Sequence, residues 1–145
     1  MSAPLPLAVT IGDPAGVGPE IIAEAFARRR KAGLPPFVAV GSVALIREAA
    51  RSRSLDIEVS ELDERGWDAI WPDALPVVGG FAGQGYAPGH PDENGARLAL
   101  AALEFAIDRV KEGHAGAVVT APVAKAQLAT IDPGLVGQTE FLADA

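Results

Sequence analysis

The chain has 145 residues, 49% of them apolar and 21% charged, enough to bury one core without covalent help. Its formal charge of −7, with no basic run longer than Arg28 to Lys31, argues against nucleic acid and for a small metabolite as partner. Cysteine is absent, which excludes disulfides and thiolate metal ligands; the opening has no basic n-region and no apolar run spans a bilayer, so a cytoplasmic protein is expected.

Leu5 to Ile11 is an apolar run closed by Gly12-Asp13-Pro14, which predicts a strand buried on both faces in mid-sheet. A helix should open at Gly18-Pro19-Glu20 and stop before Gly33, with Ile21, Ile22, Ala25 and Phe26 on its buried face and Glu24 paired to Arg28. Phe37 to Val40 reads as a second buried strand, and Ser42 should cap a helix running to about Ser52. From Leu55 to about Pro91 the pattern predicts mainly loop, with short strands at Leu55–Val59 and Pro76–Val78 among the glycines 79, 80, 83, 85 and 89.

Asp92 or Asn94 should start the longest helix, with Ala96, Ala99, Leu100, Leu103, Ile107 and Val110 on one stripe and Gly113 as its stop. Gly116 to Thr120 predicts a third strand buried on both faces, and Pro122 a helix that includes Lys125 and Leu128. Strands alternating with helices imply a three-layer α/β/α domain on a mostly parallel sheet. The final Gly137-Gln138-Thr139-Glu140-Phe141-Leu142 resembles the opening of another helix, capped by Thr139.

Three segments could carry chemistry. Gly12 to Glu20 is a glycine-rich strand-to-helix loop whose N–H groups suit an anion; the alternative is a tight turn in which Asp13 caps the helix. Its spacing is neither GxGxxG nor a Walker loop. Thr120 to Lys125 lies at the carboxyl end of a predicted strand, where Lys125 could meet a phosphate or carboxylate, although spacing alone favours a solvated lysine. Gln138-Thr139 could greet a phosphorylated substrate, although capping is the simpler reading. The two histidines, His90 and His114, stand apart from each other and from any carboxylate at ligand spacing, and are expected on the surface.

Taken together and in this order, Val9-Thr10-Ile11-Gly12-Asp13-Pro14-Ala15-Gly16-Val17-Gly18-Pro19-Glu20 and Val118-Val119-Thr120-Ala121-Pro122-Val123-Ala124-Lys125 resemble the two signatures of the 4-hydroxythreonine-4-phosphate dehydrogenase family. Asn94-Gly95-Ala96 opening an Ala-rich helix is similar to the same pattern, so the resemblance runs over nearly the whole chain. It implies an isopropylmalate-dehydrogenase-like fold of two domains about a cleft, assembled as a homodimer. Residues 1–136 would be the first α/β domain and 137–145 the truncated start of the second-domain segment, leaving apolar surface open to association.

The implied reaction is NAD- or NADP-dependent oxidation of 4-phosphohydroxy-L-threonine, with decarboxylation of the resulting β-keto acid, assisted by a divalent metal (Zn, Mg or Co) whose histidine ligands lie beyond this chain. Gln138 and Thr139 occupy the implied substrate-binding positions; Gln138 departs from the family's usual histidine and cannot become cationic. That departure leaves room for a same-superfamily dehydrogenase acting on another β-hydroxy acid. A catalytically inert binding or dimerisation module and an acyl-phosphate transferase are the remaining readings.

Overall fold

The computed structural model describes residues 4–81, 87–134 and 138–145. Gly83, Gly85 and Gly137 of the segments discussed above lie outside them. Five strands, β1 (Leu7–Thr10), β2 (Phe37–Val40), β3 (Glu58–Glu61), β4 (Ala74–Val78) and β5 (Ala117–Thr120), form one parallel sheet in the order β3-β4-β2-β1-β5. Six helices accompany them: α1 (Gly18–Ala32), α2 (Val43–Ser52), α3 (Trp67–Ile70), α4 (Glu93–Lys111), α5 (Lys125–Ile131) and α6 (Gln138–Asp144).

The connections through α1 and α2 advance one way across the sheet and the connection through α4 runs back the other way. Right-handed crossovers therefore place α1 and α2 on one face and α4 on the other, which gives the three layers expected. On the α4 face Ala8 and Thr10 stand beside Val38 and Val40 in register.

Helix α1 follows its sequence signals: Pro19 opens it, Glu20 sits in the first turn, and Gly33 at φ +62° ends it. The expected Glu24–Arg28 ion pair forms on its outer side. Its buried face is Pro19, Ile22, Ala23 and Phe26, so Ile21, expected inside, is instead half exposed. Ser42 caps α2 by accepting the Leu45 N–H at 3.4 Å, as the sequence predicts.

Residues 55–91 hold more structure than expected. Strand β3 starts at Glu58 rather than Leu55, and β4 is a sheet-interior strand with Leu75 and Val77 fully buried. The strand expected at Pro76–Val78 thus begins two residues earlier, at Ala74; proline removes a ladder donor, and β4 accommodates it where its pairing with β2 covers only Val77 and Val78.

Asp92 caps α4, accepting the Gly95 N–H at 2.8 Å. Its inner stripe is Ala96, Leu98, Ala99, Ala102, Leu103 and Ala106, while Leu100, Ile107 and Val110, expected inside, are only partly covered. Alanines at the contact let the helix axis approach the sheet, and the larger residues flank it.

Strand β5 corrects another expectation. Among the described residues it pairs only with β1, so it is a sheet edge, and Val119 is 43% exposed instead of buried on both faces. Beside it an apolar groove of about 210 Å³ is lined by Val9, Ile21, Leu34, Phe37 and Val119. An unprotected edge flanked by apolar surface promotes pairing with another chain. The chain is expected to sediment partly as oligomers at micromolar concentration, and Val119→Lys to shift it toward monomer; a monodisperse unsubstituted monomer would contradict this.

Candidate functional site

The chain reverses direction across the sheet between β1 and β5, so their carboxyl ends form the topological switch point where ligands of open α/β sheets bind. The two motif segments meet there. The Asp13 N–H donates to the Pro122 carbonyl at 3.0 Å and the Ala121 N–H to the Thr10 carbonyl at 3.3 Å, continuing the β1–β5 ladder into both loops.

Glycine is required at two points of this junction. Gly12 adopts φ +70° with its α-carbon pressed against the Pro122 carbonyl, and a Cβ on Gly18 would run into the Ile11 carbonyl and lie 3.0 Å from the Ala121 methyl. The glycines thus let helix α1 begin directly against β5.

Asp13 does not cap α1, contrary to one sequence reading. The N-cap of that helix is Val17, without a side-chain bond, and Asp13 instead makes a turn of its own: Oδ1 accepts the Ala15 N–H at 2.8 Å and its carbonyl the Gly16 N–H at 3.0 Å. The residue is 3% exposed, and its Oδ2 has no hydrogen-bond partner among the described residues. Thr10, 1% exposed, likewise has an unpartnered Oγ1. The Gly89 N–H donates to the Ala15 carbonyl at 2.8 Å, so the segment before α4 closes over this turn.

Pro122 does not open a helix: residues 121–124 are irregular and α5 begins at Lys125. The reason is visible in the Pro122 carbonyl, which is committed to Asp13 across the junction rather than to a following helical turn. Lys125 is exposed and makes no ion pair among the described residues. Gln138 is the first residue of α6, and its Nε2 donates to the Ala121 carbonyl at 3.1 Å, tying that helix to the junction. Thr139 is exposed and lies inside α6 rather than at its cap.

A separate cavity lies elsewhere. About 510 Å³ opens on the α4 face over Val38, Val40 and Val78, with Phe105, Arg109 and His114 along its rim. It is mainly apolar sheet surface running to the amino ends of β1 and β5, with the unpartnered buried Arg109 Nε at its rim, whereas the loop-to-loop hydrogen bonds, the close glycine contacts and the unpartnered Thr10 Oγ1 and Asp13 Oδ2 gather at the carboxyl ends. The junction is therefore the candidate site. His90 and His114 are both exposed, and His114 sits 3.6 Å from Glu112. The described residues bring together no group of three or more His, Asp or Glu, so they do not fit a metal centre. None of the helices among them is long and apolar enough to cross a membrane.

Sequence reasoning located the two loops but missed their mutual hydrogen bonds and the place of Gly95, whose Cβ would lie 3.4 Å from Asp13 Oδ1. Contacts between segments this far apart in the chain leave no local periodicity to read.

With this geometry in view, residues 34–145 match the model of the pyridoxal phosphate biosynthetic protein PdxA family. The chain belongs to the PdxA family. It is 45% identical over 141 residues to the 4-hydroxythreonine-4-phosphate dehydrogenase of Erythrobacter litoralis, covering 97% of this chain and 42% of that one. The protein of that name from Zymomonas mobilis is 44% identical over 139 residues, with 96% and 40% covered. Among solved structures, the Klebsiella pneumoniae 4-hydroxythreonine-4-phosphate dehydrogenase superposes with a TM-score of 0.81 at 29% identity, over 97% of this chain and 44% of that one. A terephthalate 1,2-cis-dihydrodiol dehydrogenase from Burkholderia xenovorans shares the fold, with a TM-score of 0.71 at 24% identity over 98% and 40%. The chain thus spans less than half the length of these relatives.

Proposed function

We propose that this chain forms the nucleotide-fold part of a 4-hydroxythreonine-4-phosphate dehydrogenase. The observation that carries the reading is the junction of the Gly12–Glu20 and Thr120–Lys125 loops at the switch point, in a chain 45% identical to a relative of that name. The reaction would be oxidation of 4-phosphohydroxy-L-threonine by NAD or NADP: the secondary alcohol gives a hydride to the nicotinamide ring and its proton to solvent, and the β-keto acid formed loses carbon dioxide. The enzyme would be a cytoplasmic homodimer.

Within the chain, the uncapped start of α1 offers backbone donors to an anionic group, and the exposed Lys125 offers a mobile positive charge across the junction. Gln138 and Thr139 are proposed to contact substrate, with Gln138 tying α6 to the junction through the Ala121 carbonyl. Residues 1–136 would act as one α/β body and 137–145 as the opening of the cleft segment. No residue of this chain is assigned to a divalent metal.

A second reading, a dehydrogenase for another β-hydroxy acid, is favoured by Gln138 alone, since a neutral amide attracts a phosphate less than an imidazolium does. Reduction of NAD is the test, with 4-phosphohydroxy-L-threonine and a divalent metal present, comparing the 145-residue chain with the product of its complete reading frame. Activity in a longer product alone is expected; activity in neither would leave the family membership standing and move the substrate.

A further inference from the structure

The turn at Asp13 leaves one charged oxygen unused. The backbone N–H is bonded to Pro122, the carbonyl to Gly16 and Oδ1 to Ala15, while Oδ2 lies buried with no donor among the described residues. A turn of this kind needs a single side-chain carbonyl oxygen, which asparagine supplies as well as aspartate and without burying a charge. Burying a carboxylate oxygen unpaired is more costly than burying a neutral one, so the turn does not account for this residue.

Its position suggests another use. Asp13 follows β1 directly, between the loops of the switch point, and stands against the first turn of the 19-residue helix α4 at Gly95, where the helix dipole favours negative charge. A hydrogen bond accepted there, out of bulk water, is stronger than one on the surface.

We propose that Asp13 is a ligand-binding residue whose Oδ2 accepts a hydrogen bond from a hydroxyl group of the small molecule seated at the carboxyl ends of β1 and β5. This rests on the proposed function, under which two hydroxyl-bearing molecules use the site: a nicotinamide dinucleotide and a phosphorylated hydroxy amino acid. Either source satisfies the same oxygen.

The test is calorimetric titration of the unsubstituted chain, Asp13→Asn and Asp13→Ala with NAD and with 4-phosphohydroxy-L-threonine separately, alongside thermal denaturation of each. Asp13→Asn keeps the acceptor of the turn and removes a buried charge, so it should melt with or above the unsubstituted chain while binding one of the two molecules about ten- to a hundredfold more weakly; that molecule is the source of the hydroxyl. Asp13→Ala should also lose the turn and melt lower. Unchanged binding of both molecules by Asp13→Asn overturns the proposal, as does a melting loss as large as that of Asp13→Ala, which would mean that Oδ2 has a partner within the protein. If the unsubstituted chain binds neither molecule, the reading of the junction as a ligand site fails first, and the role of Asp13 fails with it.

Discussion

Phe26→Ala is expected to destabilise the chain by about 3–5 kcal/mol, the usual range for emptying a buried aromatic site. The ring is 1% exposed and meets Trp71 edge-on at 5.3 Å between centroids; Trp71 in turn meets Phe37 at 4.9 Å, so one substitution loosens the packing between α1, β2 and the end of α3. The Arg29 guanidinium lies 3.7 Å from the Phe26 ring centroid while donating to the carbonyls of Phe26 and Pro72. Burial, with Arg30 beside it, lowers the Arg29 pKa against a smaller raising effect of Asp73; guanidinium nevertheless stays charged and would lose its stacking surface. A typical domain has only about 5–15 kcal/mol in total, so a large fraction is at stake. Urea denaturation followed by circular dichroism measures the change, and a loss below about 1 kcal/mol would mean that the Phe26 cluster is not a cornerstone of this core.

Gly12→Ala should be the most damaging change at the junction, and comparison with Gly33→Ala separates its causes. Both glycines sit in the left-handed region, at φ +70° and +62°, so both substitutions carry the backbone cost of about 1–2 kcal/mol. At Gly33 a Cβ meets nothing within 4 Å, and the effect should stop there. At Gly12 the Cβ collides with the Pro122 carbonyl and lies 3.0 Å from the Ala121 carbonyl group, adding about 1–3 kcal/mol of overpacking and breaking the Asp13–Pro122 bond. Hydrogen exchange of the Asp13 and Ala121 amides reads the junction directly: fast exchange in Gly12→Ala and native protection in Gly33→Ala are expected. Equal loss of stability in the two variants would show that the loops do not depend on close approach.

The sequence by itself determined the alternation of strands and helices, the parallel sheet, the bounds of α1, the caps at Ser42 and Asp92, and the two loops that form the candidate site. Each of these is written in neighbours along the chain: proline and acid at a helix start, glycine at its end, an apolar run of strand length. Strand β4 was legible as a short strand at Pro76–Val78, but its start at Ala74 and its place in the sheet interior were not. Only the tertiary structure decided that β5 is an edge, that Ile21 faces outward beside it, and that Leu98, Ala102 and Ala106 rather than Leu100, Ile107 and Val110 complete the inner face of α4. The same holds for the site, where Asp13 was legible as a turn residue but its spare oxygen, its contact with Gly95 and its bond to Pro122 were not. Burial and hydrogen-bond satisfaction depend on what arrives from distant parts of the chain, and local pattern carries no record of it.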